Sequence, residues 1–455
     1  MISGNDSGGP DARSSVVISI PLGVNVRDIL RLGVLEALLG ARHDLEVVLL
    51  TPAHRVPEFR REFSLDRVTI APFRRFEPSW RVTRLVGLRR RSRVRPLVNL
   101  LLAAESRLAR PDQTLQNLLR ESPPHLVVTV HPQDWWDWEL ISYARRLGIP
   151  TLGIVKSWDN IQRGLMVHPD FLAVWNEVNR REAIALESYE ASRIRLVGAP
   201  PFDRYFDATV IRSRADHARR LGLEAEKKIL VYATAGQIMD YGDETYMFEE
   251  LLRIRARSEA LGDLQIVCRL HANSRLEYFW AHRDTPGVAF SFGSYIKTLG
   301  WSMTRAEVDD MANLLYHADV VVSPGSTVTL EAALFDRPTI VPAFHEAQPE
   351  HIKRWLIGWH FAKHYRPLVD NDWVPIAWSS AELEAMVLRS LEDPGWYRVG
   401  RQAIVEHYTP LRDGRTSERV ARLIVELVEH GELVRRGLRG RRALAIGNDT
   451  GGKTQ

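Results

Sequence analysis

The segment from Ala318 to Ala343 constrains the fold of this chain more than any other, because it alternates strand, turn and helix patterns. It reads ADVVVSPGSTVTLEAALFDRPTIVPA. The apolar run from Val320 to Val322 predicts a buried strand, and the small residues after it predict a turn. Good helix formers extend from Val328 to Phe335, and Asp336-Arg337-Pro338 ends that helix before a second strand. This order predicts a βαβ unit, which belongs in a parallel sheet.

The turn of this unit, Ser323 to Thr327, has the composition of a phosphate-binding turn. A helix N-terminus presents unpaired N–H groups and the positive end of the helix dipole. Gly325 allows a diphosphate to approach the backbone, and the hydroxyls of Ser326 and Thr327 add donors. Glu331 lies one helical turn further on, where a carboxylate can accept hydrogen bonds from ribose hydroxyls. An ordinary capped helix with a solvated Glu331 accounts for the same spacing equally well.

The string SPGSTVTLEAALFDRPTIV resembles the nucleotide-binding segment of glycosyltransferases that have two Rossmann-like domains, the GT-B fold. It is especially similar to the branch of CDP-glycerol glycerophosphotransferases, capsule-polysaccharide transferases and hydrolysing UDP-N-acetylglucosamine 2-epimerases. The detailed resemblance spans residues 150 to 345 approximately. It implies that the turn with Ser323, Gly325, Ser326 and Thr327 holds the donor diphosphate, and that Glu331 holds the ribose.

Length and alternation of elements predict two Rossmann-like, doubly wound α/β domains that face a cleft. A chain of 455 residues is long for one domain. The resemblance implies that the first domain binds the acceptor and that the terminal helices return to it. No GxGxxG follows the first strand, so a dinucleotide cofactor is not expected. The predicted organisation is a flexible tail (1–15), an N-terminal acceptor domain (16–207), a C-terminal donor-nucleotide domain (208–375), C-terminal helices (376–434) and a second flexible tail (435–455).

Composition places the chain among ordinary globular proteins of a reducing compartment. Hydrophobic residues make up 45% and charged residues 26% of the sequence. Cys268 is the single cysteine, so an intrachain disulfide and a cysteine-based zinc site are both excluded. No apolar stretch reaches the roughly 18 to 20 residues of a membrane span, and the N-terminus lacks the apolar region of a secretory signal. We therefore expect a cytoplasmic location.

Polar and aromatic residues follow two predicted strands of the first half. Open α/β sheets bind ligands at the carboxyl ends of their strands. Leu126 to Val130 precedes a tryptophan-rich segment, and Thr151 to Val155 precedes KSWDN. An interdomain tryptophan contact and a capped turn are the competing interpretations. We predict Asp159 to be the catalytic base for an acceptor hydroxyl, and the acceptor side to include His131, Asp134, Trp158 and Asn160.

Two strand ends of the second half are predicted to reach the donor. In the resembled enzymes the first turn of this domain faces the donor phosphates, which assigns Gly236 and Gln237 to the donor site. Relatives commonly have a His-Pro pair after the next strand, near the donor phosphates. This chain has His271-Ala272, so the histidine matches and the proline does not. We predict a catalytic role for His271 and a donor contact for Arg269, although a lone histidine is usually structural.

The segment from Arg74 to Arg110 is strongly basic, with eleven arginines against Glu77 and Glu105. One interpretation is an anionic membrane surface bound through Arg81 to Arg95, with apolar residues toward the acyl chains. The other is a solvated basic helix that packs on its apolar face. Nucleic acid binding is not expected, because no aromatic residue is interleaved with the arginines in the denser core from Arg84 to Arg110.

Together with these features, the resemblance implies transfer of a glycosyl group or glycerol phosphate from a nucleotide diphosphate donor to a hydroxyl. The acceptor would belong to surface polysaccharide or glycolipid synthesis and could be lipid-linked, with the enzyme at the inner face of the plasma membrane. Cations and a helix N-terminus can stabilise the leaving phosphate, so no metal and no cofactor are expected. The alternatives are a hydrolysing 2-epimerase, which would release UDP without an acceptor, and a non-catalytic nucleotide-binding protein.

Overall fold

The computed structural model describes residues 14–89, 95–108, 111–234, 245–271, 273–346, 350, 354, 358 and 362–435. The segments 1–13 and 436–455, which make up most of the two predicted tails, lie outside this range. The described chain forms two parallel sheets with helices around them, and the predicted α/β class is confirmed.

In the described part of the chain the first sheet has seven strands. They are β1 Ser14–Ser19, β2 Leu45–Thr51, β3 Val68–Pro72, β4 Leu126–Thr129, β5 Thr151–Ile154, β6 Phe171–Val174 and β7 Ile194–Leu196. Their order is β3-β2-β1-β4-β5-β6-β7, and all of the pairs are parallel. The strand order reverses between β1 and β4, which is where a doubly wound sheet opens a crevice for ligands.

The second sheet repeats this topology with six described strands. They are β8 Ile229–Ala233, β9 Gln265–Arg269, β10 Val288–Ser291, β13 Val320–Val322, β14 Thr339–Pro342 and β15 Ile376–Ala377. Their order is β10-β9-β8-β13-β14-β15, with every pair parallel. Strands β11 Tyr295–Ile296 and β12 Gly300–Trp301 form a separate antiparallel hairpin. The βαβ unit predicted from Val320 onward therefore forms the centre of this sheet.

Helices cover both faces of the sheets. Those of the first half are α1 Gly23–Asn25, α2 Val34–Ala41, α3 Pro57–Phe63, α4 Trp80–Arg89, α5 Arg95–Leu108, α6 Gln113–Glu121, α7 Trp138–Arg146, α8 Asn160–Arg163 and α9 Glu177–Glu187. A π-helical turn, Val26–Arg31, connects α1 to α2. Those of the second half are α10 Arg214–Leu221, α11 Tyr246–Arg257, α12 Leu276–Phe279, α13 Arg305–His317, α14 Thr327–Leu334, α15 Arg366–Asp370, α16 Ser380–Glu392, α17 Arg398–Tyr408 and α18 Thr416–Arg435.

The last helix, α18, returns to the first half of the chain. Val420, Ile424 and Val428 are buried in the core formed with β1, β2 and β4. Asp203 caps the helix, because its carboxylate accepts the N–H groups of Thr416 at 3.0 Å and Ser417 at 2.8 Å. Helix α18 therefore closes the chain against the first sheet.

The β11–β12 hairpin also bridges the two halves. The N–H of Gly23 donates to the carbonyl of Leu299 at 2.7 Å, and Arg31 donates to the carbonyl of Ser302 at 2.9 Å. A Cβ added at Gly23 would lie 2.2 Å from the carbonyl oxygen of Trp301. Glycine at position 23 therefore permits the close approach that positions the two sheets relative to each other.

A helix pair, α4 and α5, carries the basic segment. Its buried residues Val82, Val98 and Leu102 pack on Trp138, with Phe76 and Trp135 against them. The tryptophan-rich segment therefore anchors this helix pair to the first half. The basic helix therefore packs on its apolar face, as the second interpretation expected. Leu97 and Leu101 of α5 are nevertheless exposed.

Candidate active site

The carboxyl ends of the two sheets border a shared cleft that contains a cavity of about 630 Å³. Residues from β1, β5, β8, β9 and α14, or directly after them, line this cavity. Seven residues predicted from the sequence meet there: Asp159, Asn160, Arg269, His271, Ser326, Thr327 and Glu331. These residues lie far apart in the chain, and the fold brings them together in the cleft at the carboxyl ends of the strands.

The turn between β13 and α14 is built around a glycine with positive φ. Gly325 has a φ of 83°, a conformation that disfavours residues with a side chain. Ser326 caps α14 by accepting the N–H of Val328 at 3.2 Å, and its Oγ lies 3.0 Å from Ser323 Oγ. Ser326 and Thr327 line the cavity, whereas Ser323 and Gly325 are buried behind them. The N-terminus of α14 therefore faces the cavity, where its N–H groups and dipole favour an anion.

Glu331 lines the same cavity from the second turn of α14. The hydroxyl of Tyr205 donates to its Oε2 at 2.9 Å. Burial raises the pKa of Glu331 above its ordinary value, although the Tyr205 hydrogen bond and the charges of Arg27 and Arg269 oppose the rise. In the described structure no second donor reaches the carboxylate, so Oε1 can accept a hydrogen bond from a ligand.

Arg269 supplies a fixed positive charge at the end of β9. Its guanidinium is buried, with Nη1 donating to Ser291 Oγ at 2.9 Å and Nη2 lying 3.4 Å from Met303 Sδ. Burial lowers the pKa of Arg269, but an arginine stays protonated in proteins. A buried cation on the cavity wall suits a phosphate group.

His271 follows β9 and is held as a neutral imidazole. Its backbone N–H donates to Thr234 Oγ1 at 2.8 Å, and its Nδ1 accepts the N–H of Asn273 at 3.1 Å. Burial, together with the charge of Arg269, lowers the pKa of His271 to about 4. Because Nδ1 is an acceptor, the proton of the neutral ring lies on Nε2. His271 can therefore donate a hydrogen bond to a phosphate oxygen through Nε2.

Asp159 faces these residues from the first half. It is buried after β5, and its Oδ2 pairs with Arg163 at 2.6 Å. The side-chain amide of Asn160 donates to Oδ1 at 3.3 Å. Both contacts hold the carboxyl group in place at the cavity wall, where a general base for an acceptor hydroxyl would have to lie.

Three residues predicted for the acceptor side do not line the cavity: His131, Asp134 and Trp158. Trp158 is buried, with ring-centroid distances of 4.9 Å to Tyr408 and 5.5 Å to His364. The ring packs away from the cavity lining, and the acceptor contact of Trp158 stays a prediction. Asp134 accepts the N–H of Trp135 at 2.6 Å and caps the 3-10 turn there.

His131 is buried beside the cleft. Its ring lies 3.2 Å from Gln133 Nε2, measured at Nδ1. Burial, followed by the charges of Lys156 and Arg75, holds the pKa of His131 well below its ordinary value. The two remaining donor-site predictions, Gly236 and Gln237, lie outside the described residues.

Several cavity-lining residues were missed from the sequence. Lys156 lies two residues beyond the end of β5, so the expectation that ligands bind at the carboxyl ends of strands could have found it. Arg27 and Tyr205 carried no local signal, because a π-helical turn and the interdomain linker bring them to the cleft. Arg27 lies 4.9 Å from the centroid of the Trp301 ring in the β11–β12 hairpin, so its position depends on the contact between the two halves.

Solved structures with a similar fold match almost the whole chain. MnaA from S. aureus, in a co-structure with UDP, has a TM-score of 0.54 at 13% identity, covering 91% of this chain and 97% of MnaA. The UDP-GlcNAc 2-epimerase of Neisseria meningitidis, bound to UDP-GlcNAc, has a TM-score of 0.52 at 11% identity, covering 91% and 100%. The wall teichoic acid polymerase TagF has a TM-score of 0.51 at 12% identity, covering 91% and 89%. No curated protein matches the sequence.

The fold and its cleft place the chain in the GT-B structural class. The sequence profile of the family CDP-Glycerol:Poly(glycerophosphate) glycerophosphotransferase matches residues 156–426. This is more than half of the chain, and the chain belongs to that family. The resemblance drawn from the SPGSTVTLEAALFDRPTIV string is therefore confirmed.

Proposed function

We propose that the protein transfers glycerol phosphate from CDP-glycerol, or a glycosyl group from a related donor, to a hydroxyl of a growing cell-surface polymer. The observation that carries this proposal is the cleft itself. The N-terminus of α14, Arg269, His271 and Glu331 lie on one wall, and the carboxylate of Asp159 lies on the other. Donor-binding groups and a candidate base thus share one cavity.

The proposed step with CDP-glycerol is an in-line displacement at the phosphorus that bears glycerol. The acceptor oxygen forms a bond to that phosphorus, the P–O bond of the diphosphate breaks, and CMP leaves. Asp159 takes the proton of the acceptor hydroxyl. The α14 dipole, Arg269 and the Nε2–H of His271 stabilise the charge that develops on the leaving phosphate.

A nucleotide diphosphate is expected to stabilise the protein against unfolding. At a free ligand concentration one hundred times Kd, the free energy of unfolding should rise by about 2.7 kcal/mol. Thermal shifts with CDP, UDP, GDP and dTDP measure this effect and rank the bases. Cytidine without phosphates is the matched control, because it cannot use the α14 N-terminus. The absence of a shift with all four diphosphates would refute the proposed function.

The α4–α5 helix pair supports a location at an anionic membrane surface. Trp80, Leu97 and Leu101 are 69%, 59% and 43% exposed, and Arg81 and Arg84 are exposed near Trp80 on α4. Exposed apolar and basic side chains on one helix pair suit the boundary between headgroups and acyl chains. No helix in the described ranges has the length and apolar character needed to cross a bilayer. The proposed site of action is the cytoplasmic face of the plasma membrane, with the acceptor linked to lipid.

Replacing Arg89, Arg90, Arg91 and Arg93 by glutamine is expected to reduce binding to anionic vesicles far more than binding to CDP. Each basic residue near a charged surface contributes about 1 kcal/mol, and salt weakens this attraction. Co-sedimentation with phosphatidylserine-containing vesicles at low salt measures the effect. The double variant Arg219→Gln/Arg220→Gln on α10 removes basic charge elsewhere and should bind normally. Wild-type protein that stays in the supernatant would rule out the membrane interpretation.

A further inference from the structure

Lys156 is a cation of the cleft for which the described residues supply no partner. It lies two residues beyond the end of β5, and its side chain lines the cavity on the wall opposite α14. No carboxylate lies within ion-pair distance of its Nζ, and no hydrogen bond to Nζ is formed, within the described ranges. A partly buried ammonium without a counter-ion is costly, so an anionic ligand would stabilise it.

The carboxylates nearest to Lys156 are already engaged with arginines. Asp28 pairs with Arg27 at 2.5 Å, and Asp159 pairs with Arg163 at 2.6 Å. Burial lowers the pKa of Lys156 below its ordinary value, and the attraction of the two carboxylates offsets this only in part. The first-half wall of the cavity therefore carries one positive charge more than its carboxylates neutralise.

The other charged groups around Lys156 do not remove this excess. The imidazole of His131 on the first-half side is neutral, because its pKa is low. On the opposite wall Arg269 offsets Glu331, His271 is neutral, and the α14 N-terminus adds partial positive charge. An anion in the cavity is therefore attracted from both walls at once.

We propose that Lys156 binds a phosphate group of the substrate, so that this phosphate lies between its ammonium and the N-terminus of α14. This inference rests on the proposed function. It adds a first-half residue to a site whose other phosphate contacts all come from the second half. The phosphate has two sources, the diphosphate of the donor and an anionic group on the acceptor.

The test compares Lys156→Met, Lys156→Arg and the wild-type full chain by calorimetry with pyrophosphate, CDP and cytidine. If the donor supplies the phosphate, Lys156→Met should weaken binding of pyrophosphate and CDP roughly 10-fold or more, as for a lost charge-assisted hydrogen bond. Lys156→Arg should keep most of the affinity because it keeps the charge, and cytidine binding should not change. Lys228→Met, at the opposite end of the second sheet, is the matched control.

If the acceptor supplies the phosphate, CDP binding should be unchanged in Lys156→Met. In that case KM for the acceptor should rise roughly 10-fold or more, and Lys156→Arg should restore it. If Lys156→Met binds pyrophosphate and CDP with wild-type affinity and has a wild-type KM for the acceptor, the inference is overturned, while the proposed function stays intact. Wild-type protein that binds neither pyrophosphate nor CDP would overturn both.

Discussion

As the pH rises from 4 to 8, the free energy of unfolding of Asp137→Asn is expected to increase by about 4 kcal/mol relative to that of the wild type. Asp137 is fully buried, and its Oδ2 accepts hydrogen bonds from Ser19 at 2.7 Å and from Thr129. Its Oδ1 has no hydrogen-bond partner in the described structure. Burial raises the pKa of Asp137 to about 7, against the effect of the two hydroxyls.

The sign follows from proton linkage. Because the pKa of Asp137 is higher in the folded state, that state binds the proton more tightly than the unfolded chain does. The stability that Asp137 contributes through this proton is complete below pH 4 and is lost as the pH rises through about 7. Asparagine does not titrate, so the variant should lack this loss.

Denaturant unfolding of both proteins at one-unit pH steps measures the difference. Asp44→Asn is the control, because hydrogen bonding to Arg42 lowers the pKa of Asp44. The pH dependence of its stability relative to wild type should therefore have the opposite sign. Parallel stability curves for wild type and Asp137→Asn would show that the carboxyl group titrates alike in the folded and unfolded states.

Replacing Glu331 by alanine is expected to weaken binding of the donor nucleotide by roughly 1.5 to 3 kcal/mol, or about 10- to 150-fold. The physical reason is the loss of a charged acceptor for a ribose hydroxyl at Oε1. The fold should persist, because Glu331 lines a cavity and is not part of a hydrophobic core. Calorimetric titration with the diphosphate that gives the largest thermal shift measures the loss.

Tyr205→Phe is the matched control for Glu331→Ala. It removes the hydroxyl that donates to Glu331 at 2.9 Å and keeps the carboxylate. If Glu331 binds the ribose, Tyr205→Phe should reduce affinity much less than Glu331→Ala. Equal thermal destabilisation by both variants with unchanged affinity would show instead that the pair only links α14 to the interdomain linker.

Local features of the candidate site could be predicted because they depend on neighbouring residues. The cap at Ser326 and the positive φ of Gly325 are properties of a five-residue turn. Arg269, His271 and Asp159 were found because each follows an apolar run that had to be a buried strand. The carboxyl ends of parallel strands share one edge, so the strand pattern alone places such residues near a ligand.

The direction of individual side chains could not be predicted in this way. Trp158 and Asp159 follow the same strand, yet Trp158 turns into the core against Tyr408 and Asp159 lines the cavity. The choice depends on α17, which is remote in sequence. Lys156 was passed over for the same reason, because a strand-end position does not show which charges face it.

The sequence by itself determined the two Rossmann-like sheets, the glycine-containing turn before α14 and the family, because periodicity, turn chemistry and a contiguous motif are local in the chain. Only the tertiary structure decided which residues share the cleft. The cleft lies between two sheets whose placement depends on the close approach of Gly23 to the β11–β12 hairpin and on the return of α18. Arg27 and Tyr205 reach the cavity through those contacts, which join residues hundreds of positions apart and leave no periodic signal.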